Sequence, residues 1–316
     1  MSSCRSCEWT ILGFCAMAKD TEQLVKFLIL HHVLLESWWC SSCGELCRRD
    51  LSTFTFRCDR RHVFRDAHRC RRRWRCHFSR SMFVGTWFER SHMSVSEVCQ
   101  MNCLWLNLLY PRMSRIHSEI GISLTSVQKW SWFCREVCIF WLSRQSEILG
   151  GPGVVVEIDE AKFRTRTYNR DRWTGEQWFF VGFECGSKKC FLVSVPSRES
   201  DMLLEVVREW IHPGTTVVSD CWKAYDCLSS EGFVHESVNH LKNFVDPSTR
   251  AHAQNIGKTW REVQGRSPRF GRKNKHTVGH LAEFTFKRKY SDYLERVHAF
   301  FTAVGQLYSP APQHSG

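Results

Sequence analysis

The sequence predicts a mixed α/β fold for the second half of the chain, because segments typical of strands alternate there with segments typical of helices. The strand candidates are rich in β-branched and aromatic residues and lie at 154–159, 178–183, 190–195, 215–220 and 234–240. Helices are expected at residues 200–211, from residue 222, and from about residue 253 on around a basic loop at 266–275. Hydrophobic residues make up 43% of the 316 residues, so the chain can bury a core.

Three segments of the first half are predicted to be helical. Apolar residues recur at helical spacing in 21–36, 95–109 and 126–142. Between the last two, Gly121 can make a turn and Ser123 can cap the next helix. Val127 and Trp130 would then lie on the inner face of that helix, as in a helix-turn-helix, although many helical hairpins share this pattern.

The charge of the chain is strongly basic and is concentrated in two patches. Lys and Arg number 44 against 32 Asp and Glu, a formal net charge of +12. Residues 57–80 hold ten Arg and two acids, and residues 258–289 hold ten Lys and Arg and two acids, so each patch carries +8. Such clusters are typical of a surface that binds nucleic acid, and the alternative is a solvated basic face. The candidate DNA-binding residues are Arg71, Arg72, Arg73, Arg75, Lys129, Lys258, Arg272 and Lys273.

Two separated cysteine pairs predict a zinc site in the first half. Cys40 and Cys43 form a Cys-x2-Cys-Gly knuckle, and Cys70 and Cys76 flank the arginine-rich run. Four thiolates are the ligands of a structural tetrahedral zinc ion. The second pair is separated by five residues instead of two, so a packed cysteine cluster without metal is the other interpretation. Cys47, Cys58 and His77 are possible substitute ligands.

The compartment is expected to be intracellular. The apolar stretch at 24–35 is interrupted by Lys26 and two His and follows two acids, unlike a secretory signal. No apolar run approaches the roughly 18 residues needed to span a bilayer, so no membrane partner is expected. The 17 Cys are then reduced, and most are expected to be small buried hydrophobic residues.

Two acidic residues, Asp159 and Asp220, are each expected to end a strand. If those strands are neighbours, the two carboxylates converge at one edge of the sheet. Carboxylate oxygens are the ligands that Mg²⁺ and Mn²⁺ prefer, and two such ions about 4 Å apart can assist phosphoryl transfer. The alternative for a single Asp at the end of a strand is a cap or turn residue.

Several blocks of sequence resemble the Merlin-type DNA transposases, which are similar to bacterial insertion-sequence transposases of the DDE class. In the second half these blocks lie at 156–160, 168–170, 178–182, 219–225, 239–240, 243–247 and 252–256. In the first half the knuckle and the blocks at 81–89 and 119–123 resemble the front end of that family. The order and spacing match over about residues 150–290, and the resemblance covers most of the chain.

The resemblance implies an RNase H-like mixed sheet flanked by helices, preceded by a zinc ribbon and an α-rich helix-turn-helix region. It implies that Asp159 and Asp220 bind Mg²⁺ or Mn²⁺ and that a third acid stands at position 257, where this chain has Gly257. Glu262 is a poor replacement, because on a helix it would lie about 140° away from position 257. Double-stranded DNA as partner, a homo-oligomeric state and a nuclear location also follow from the resemblance.

The expected domain organisation has five parts. They are a helical segment at 1–36, a basic zinc-ribbon-like segment at 37–92, a helix-turn-helix-like region at 93–150, an RNase H-like domain at 151–302 and a polar tail at 303–316. The glycine-rich segment at 150–153 marks the main boundary. Three functions fit: an active transposase, a transposase-derived DNA-binding protein without activity, and a generic RNase H-like nuclease. Gly257 favours an impaired catalytic centre.

Overall fold

The structure of this protein is a computed structural model. It describes residues 4–65, 71–108, 112–164, 176–187, 189–197, 199–219, 223–237 and 277–310. These residues divide into two compact units. The first unit contains residues 1–130 and 292–316, and the second contains residues 131–291. The domain boundaries expected from the sequence stay predictions.

The helices of the described residues are α1 (Ile11–Met17), α2 (Thr21–Leu30), α3 (Val95–Asn107), α4 (Met113–Ile120), α5 (Leu124–Ser143), α6 (Ser200–Trp210), α7 (Thr277–Lys289) and α8 (Arg296–Leu307), with a 3₁₀ helix at Lys223–Glu231. The strands are β1 (Arg48–Asp50), β2 (Thr55–Cys58), β3 (Arg61–Arg65), β4 (Arg71–Arg75), β5 (Phe78–Ser81), β6 (Leu149–Gly150), β7 (Val155–Arg164), β8 (Glu176–Glu184), β9 (Cys190–Val195), β10 (Ile211–His212), β11 (Thr216–Ser219) and β12 (Val234–Ser237). None of the described helices is long and apolar enough to cross a membrane.

Side-chain caps fix where α2 and α3 of the first unit begin. The Asp20 carboxylate accepts hydrogen bonds from the first-turn amides of α2. Ser94 and Glu97 form a capping box at the start of α3, which satisfies two backbone donors that would otherwise lack partners. The core of this unit is aromatic, with Phe14 and Phe27 packing edge-on or tilted against Phe301 of α8.

The chain between α2 and α3 forms two small antiparallel sheets. One has the strand order β1-β2-β5, and the other is the two-stranded ribbon formed by β3 and β4. β2 ends at Cys58, and Cys76 directly follows β4. The Cys76 amide donates to the carbonyl oxygen of Arg60 at 2.8 Å, which joins the base of the ribbon. The ribbon thus begins and ends beside cysteine residues.

The second unit contains a five-stranded mixed sheet in the order β12-β11-β7-β8-β9. β7, β8 and β9 pair antiparallel, whereas β11 pairs parallel with both β7 and β12. The longest strand, β7, is therefore central. This is the strand order of the RNase H-like fold, so the mixed α/β, RNase H-like fold class expected from the sequence is confirmed.

One face of this sheet buries the main core of the second unit. Val156 and Ile158 of β7 pack there with Phe180 and Phe191 from the neighbouring strands and with Val207 of α6. Burial of several aliphatic and aromatic side chains contributes about 1.5–3 kcal/mol for each, so this cluster holds α6 on the sheet.

The helices α2, α3, α5 and α6 and the strands β7, β8, β9, β11 and β12 lie where the sequence pattern predicts them, with differences at their ends. The pattern predicts no helix at α1 or α4, and no strand at β1 to β6 or at β10. The helix expected at 21–36 ends at Leu30, because His32 has a left-handed backbone (φ 59°) that the helix cannot include. The helix expected from residue 222 is a 3₁₀ helix. Much of the region expected to be helical from residue 253 lies outside the described residues.

The prediction that a strand ends at Asp159 is wrong. β7 continues to Arg164, because antiparallel pairing with β8 extends from Val156 opposite Glu184 to Arg164 opposite Glu176. Asp159 therefore lies in the middle of β7 rather than at its end. The sequence pattern did not predict this continuation of β7, because the strand includes a charged stretch.

Candidate functional site

Asp159 is presented by the central strand of the RNase H-like sheet. Because side chains alternate along a strand, Asp159 points to the face opposite the core cluster that holds Val156 and Ile158. It is half-buried, whereas its neighbours Glu157 and Glu160 are buried. A carboxylate that keeps access to solvent on a rigid central strand is suited to bind a hard cation.

The neighbouring parallel strand leads to the second predicted acid. β11 pairs with β7 in a register that places Val218 beside Glu157, and it ends at Ser219. The buried Ser219 hydroxyl lies 2.9 Å from Nε2 of His235 on β12. Asp220 directly follows Ser219 in the sequence and lies outside the described residues.

Gly257, at the position of the expected third acid, also lies outside the described residues, as does Glu262. On α7, which packs against β7, the buried acid is Glu283. One carboxylate oxygen of Glu283 accepts from Nε of Arg135 at 3.1 Å and the other from Nζ of Lys287 at 3.0 Å. Both oxygens are engaged by cations, which is the arrangement of a structural ion pair.

Four thiols of the first unit converge at the base of the β3–β4 ribbon. They belong to Cys40, Cys43, Cys58 and Cys76, and their sulfur atoms all lie within 4.8 Å of one another. Cys40 Sγ is 3.2 Å from Cys76 Sγ, and Cys43 Sγ is 3.5 Å from Cys58 Sγ. A tetrahedral zinc ion with bonds of about 2.3 Å separates its sulfur ligands by about 3.8 Å. We call these residues the four-cysteine cluster, and their geometry fits zinc.

The backbone around the knuckle favours the thiolate form of one cysteine. Burial raises the pKa of Cys40, but hydrogen bonds from the Cys76 thiol and from the amides of Ser42 and Cys43 outweigh it and lower the pKa to about 7. Amide donors to sulfur are also what stabilises thiolate ligands around a metal. The knuckle is closed by backbone pairing of Cys40 with Glu45 at 2.8 Å.

Three of the four expected zinc ligands lie in the four-cysteine cluster. Cys40, Cys43 and Cys76 lie together, and the fourth thiol among the described residues is Cys58, which the sequence pattern offers as a substitute for Cys70. Cys70 lies outside the described residues. Cys47 and His77 are not among the grouped ligand atoms, although Cys47 is buried nearby and burial raises its pKa to about 11.

The predicted DNA-binding arginines lie on an arginine-rich ribbon. Arg71, Arg72, Arg73 and Arg75 form most of β4. Arg75 is opposite Arg61 of β3, and both side chains are exposed. Like charges directly opposite each other on a ribbon are destabilising, so this surface is suited to an anionic partner.

The remaining predicted DNA-binding residues lie on other elements. Lys129 is exposed on α5, where Val127 and Trp130 are buried as expected. The Ser123 hydroxyl accepts from the Ser126 amide at 3.1 Å, as a helix cap does. Lys258, Arg272 and Lys273 lie outside the described residues.

A second group of metal-ligand side chains was missed in the sequence. It contains Cys4, Cys7, His31 and His298, whose ligand atoms also lie within 4.8 Å of one another. The Cys-x2-Cys spacing of the first two residues is the same signal that identified the knuckle. His298 lies 267 residues after His31, so no local spacing could have joined the two histidines.

The ISXO2-like transposase domain matches residues 148–289 of the chain. An uncharacterized transposase-like protein of Haemophilus influenzae is 29% identical over 82 residues. That match spans 26% of this chain and 65% of the relative's length.

Solved structures of viral integrases are also similar. The catalytic core domain of HTLV-2 integrase, in its dimeric form with magnesium, is 11% identical with a TM-score of 0.22, over 43% of this chain and 85% of that one. The catalytic core domain of BIV integrase is 13% identical with a TM-score of 0.24, over 46% of this chain and 96% of that one.

Proposed function

We propose that this chain is a transposase-derived protein that binds double-stranded DNA around a catalytic centre that lacks its third acid. The match of residues 148–289 to the ISXO2-like transposase domain supports the proposal. The observation that carries the proposal is the position of Asp159 on the central strand of the mixed sheet, beside the parallel strand that leads to Asp220. Gly257 is the departure that makes the centre incomplete.

Asp159 and Asp220 would hold Mg²⁺ or Mn²⁺. Their oxygen ligands match the chemistry of hard cations, and the half-buried position of Asp159 supports the assignment. When bound, such ions stabilise the charge that develops on the attacking and leaving oxygens during phosphoryl transfer. The two carboxylates would position the ions, and the rigid sheet would fix the separation between the carboxylates.

Gly257 would weaken this centre because glycine supplies no ligand atom. Two carboxylates neutralise less of the charge of two divalent ions than three carboxylates would. The affinity for the metals is therefore lower, and so is the ability to cut DNA. We therefore propose an ancestral activity of metal-dependent strand cleavage and strand transfer that is impaired in this chain.

DNA binding is supported by the arginine-rich ribbon and by the four-cysteine cluster at its base. A two-stranded antiparallel ribbon fits the major groove of DNA, and exposed Arg73 and Arg75 could reach phosphates from it. A zinc ion bound by Cys58 and Cys76 would hold the two ends of the ribbon together. Lys129 and the basic residues at 258–289 would supply further contacts.

A second candidate function is an adopted DNA-binding protein with no catalytic role. Gly257 favours it, because the loss of one acid abolishes cleavage without affecting the basic surfaces. A generic RNase H-like nuclease would not account for the β3–β4 ribbon and the four-cysteine cluster at its base. For either DNA-binding candidate we also propose a nuclear location and action as a homo-oligomer on paired DNA ends.

A plasmid-nicking assay with Mn²⁺ tests the catalytic part of the proposal. The native chain should show little cleavage, whereas Gly257→Glu should cut at least tenfold faster and need less Mn²⁺, because it restores a carboxylate. Gly257→Gln is the matched control, since it adds a side chain of the same size without the charge. Asp159→Asn in the Gly257→Glu background should abolish the gain.

Two results would contradict this proposal. Robust cutting by the native chain that disappears in Asp159→Asn would show that Gly257 does not disable the centre. Equal rates for Gly257→Glu and Gly257→Gln would show that position 257 does not face the metals.

A further inference from the structure

We propose that the first unit contains a second zinc site, with two cysteine and two histidine ligands, in addition to the four-cysteine cluster. The ligands are Cys4, Cys7, His31 and His298, which we call the Cys2His2 group. They come from the segment before α1, from the residue after α2 and from α8. Each of them offers one ligand atom to a common point.

The separations between the ligand atoms match those around a tetrahedral zinc ion. Zinc–nitrogen bonds of about 2.0–2.1 Å and zinc–sulfur bonds of about 2.3 Å place two nitrogens about 3.4 Å apart and a nitrogen and a sulfur about 3.6 Å apart. His31 Nε2 and His298 Nδ1 are 3.1 Å apart. Cys7 Sγ lies 3.6 Å from His31 Nε2 and 3.5 Å from His298 Nδ1.

Neighbouring groups orient two of the ligands towards that point. Nδ1 of His31 lies 2.8 Å from the carbonyl oxygen of Phe27, so Nδ1 carries the proton and Nε2 presents its lone pair. Nε1 of Trp9 donates to Cys7 Sγ at 3.3 Å, as donors around zinc thiolates do.

The fold holds the three segments together tightly. The Cys4 amide donates to the carbonyl oxygen of Leu30 at 3.0 Å, and the Trp9 amide donates to that of Leu294 at 3.0 Å. α8 passes so close to the residue after α2 that a Cβ added at Gly305 would collide with the His31 carbonyl oxygen. Backbone hydrogen bonds and close packing therefore hold these three segments in place.

The chemistry of the group points to zinc and to a structural role. Mixed thiolate and imidazole ligands suit zinc, and four protein ligands leave no open position for a substrate. A hydrogen bond between the two imidazoles would account for their 3.1 Å separation but not for the sulfur atoms that converge on the same point. The ion would fasten α8 to α2 and so close a loop of more than 250 residues.

Metal analysis of the purified full-length chain tests the inference. His298→Ala should contain one zinc ion per chain fewer than the native protein. His298→Cys should retain that ion, because a thiolate can replace the imidazole. His32→Asn is the matched control: His32 is exposed beside His31, and asparagine tolerates its left-handed backbone, so the zinc content should not change.

Cobalt substitution separates this site from the four-cysteine cluster. Imidazole is a stronger-field ligand than thiolate, so cobalt in the Cys2His2 group should absorb at shorter wavelength than cobalt bound to four thiolates. Cys43→Ser should keep the Cys2His2 spectrum, and adding His298→Ala should remove it. Cys4→Ser, at a partly exposed position, makes the same test where His298→Ala impairs folding. Unchanged zinc content in both His298→Ala and Cys4→Ser would overturn the inference.

Discussion

Gly257 is the residue on which the catalytic part of the proposed function depends. One base change converts a glutamate codon into a glycine codon, so the acid can be lost while the rest of the sequence stays intact. The neighbouring basic residues at 258–289 would still attract DNA, because their charge does not depend on the metals. Loss of cleavage with retained DNA binding is thus the expected result of a single substitution.

Glu283 has a structural role in the second unit that its charge alone did not predict. Its side chain is 6% exposed, and it pairs with Arg135 and Lys287, whose side chains are 11% and 17% exposed. Removing one member of a buried ion pair leaves charge without compensation in a poorly solvated place. The carboxylate therefore holds α7 against α5.

Glu283→Ala is expected to destabilise the protein by about 3–5 kcal/mol, because Arg135 and Lys287 keep their charges inside the protein. Urea denaturation followed by tryptophan fluorescence would measure the change. Glu231→Ala is the control: Glu231 pairs with Arg208 at the surface, where loss of the pair costs about 1 kcal/mol or less. Equal losses for the two variants would contradict the structural role of Glu283.

At the scale of elements, the β3–β4 ribbon combines a basic surface with an unfavourable arrangement of charge. Arg61 opposes Arg75, and Arg65 opposes Arg71. His62 stacks on Trp74 at 4.7 Å, which stabilises the ribbon between these pairs. Phosphates that bind between the arginines would remove the repulsion, so DNA binding and ribbon stability should be linked.

The double variant Arg73→Gln/Arg75→Gln is expected to weaken DNA binding by at least tenfold. It should also reduce the slope of log affinity against log salt by up to about 1.8, since each lost phosphate contact removes about 0.9. Fluorescence anisotropy with a labelled duplex at several salt concentrations measures both quantities. Lys26→Gln, at an exposed position on α2, removes one charge away from the ribbon, and it should change neither. An unchanged slope in the double variant would contradict the assignment.

The elements also show what a sequence pattern can and cannot predict. Apolar periodicity located α3 and α5, and runs of β-branched and aromatic residues located β8 and β9, because these signals lie within each segment itself. The pattern misplaced Asp159 at a strand end, because the charged residues that follow are held in β7 only by pairing with β8. Pairing between distant strands is a tertiary effect that local propensity does not contain.

The same distinction between local sequence pattern and tertiary packing applies to the candidate sites. Cys40 and Cys43 can be predicted as ligands because they lie close together in the sequence. The same holds for Cys4 and Cys7, which were overlooked in the sequence. The sequence also predicts Cys76 and offers Cys58 as a substitute ligand. By contrast, His298 reaches the Cys2His2 group only through the packing of α8, 267 residues after His31. Ligands that depend on tertiary packing have no sequence spacing to reveal them.

At the scale of the whole molecule, the two units rely on different stabilising interactions. The second unit has a continuous sheet with an apolar cluster on one face. The first unit has short strands of three to five residues and helices of 7 to 13 residues wholly within it, and both groups of metal ligands belong to it. Small elements with limited cores commonly depend on bound metal for stability.

Removal of zinc is therefore expected to loosen the first unit and to spare the second. Binding free energy for structural zinc is folding free energy, so a chelator withdraws it only where the ligands lie. Hydrogen exchange measured by mass spectrometry should show lost protection in β2, β5 and α8, while β7, β8 and β9 keep theirs. The double variant Cys43→Ser/His298→Ala should give the same pattern without chelator, since it breaks both ligand groups. Equal loss of protection in the five-stranded sheet, or none in α8, would contradict this division of stability between the units.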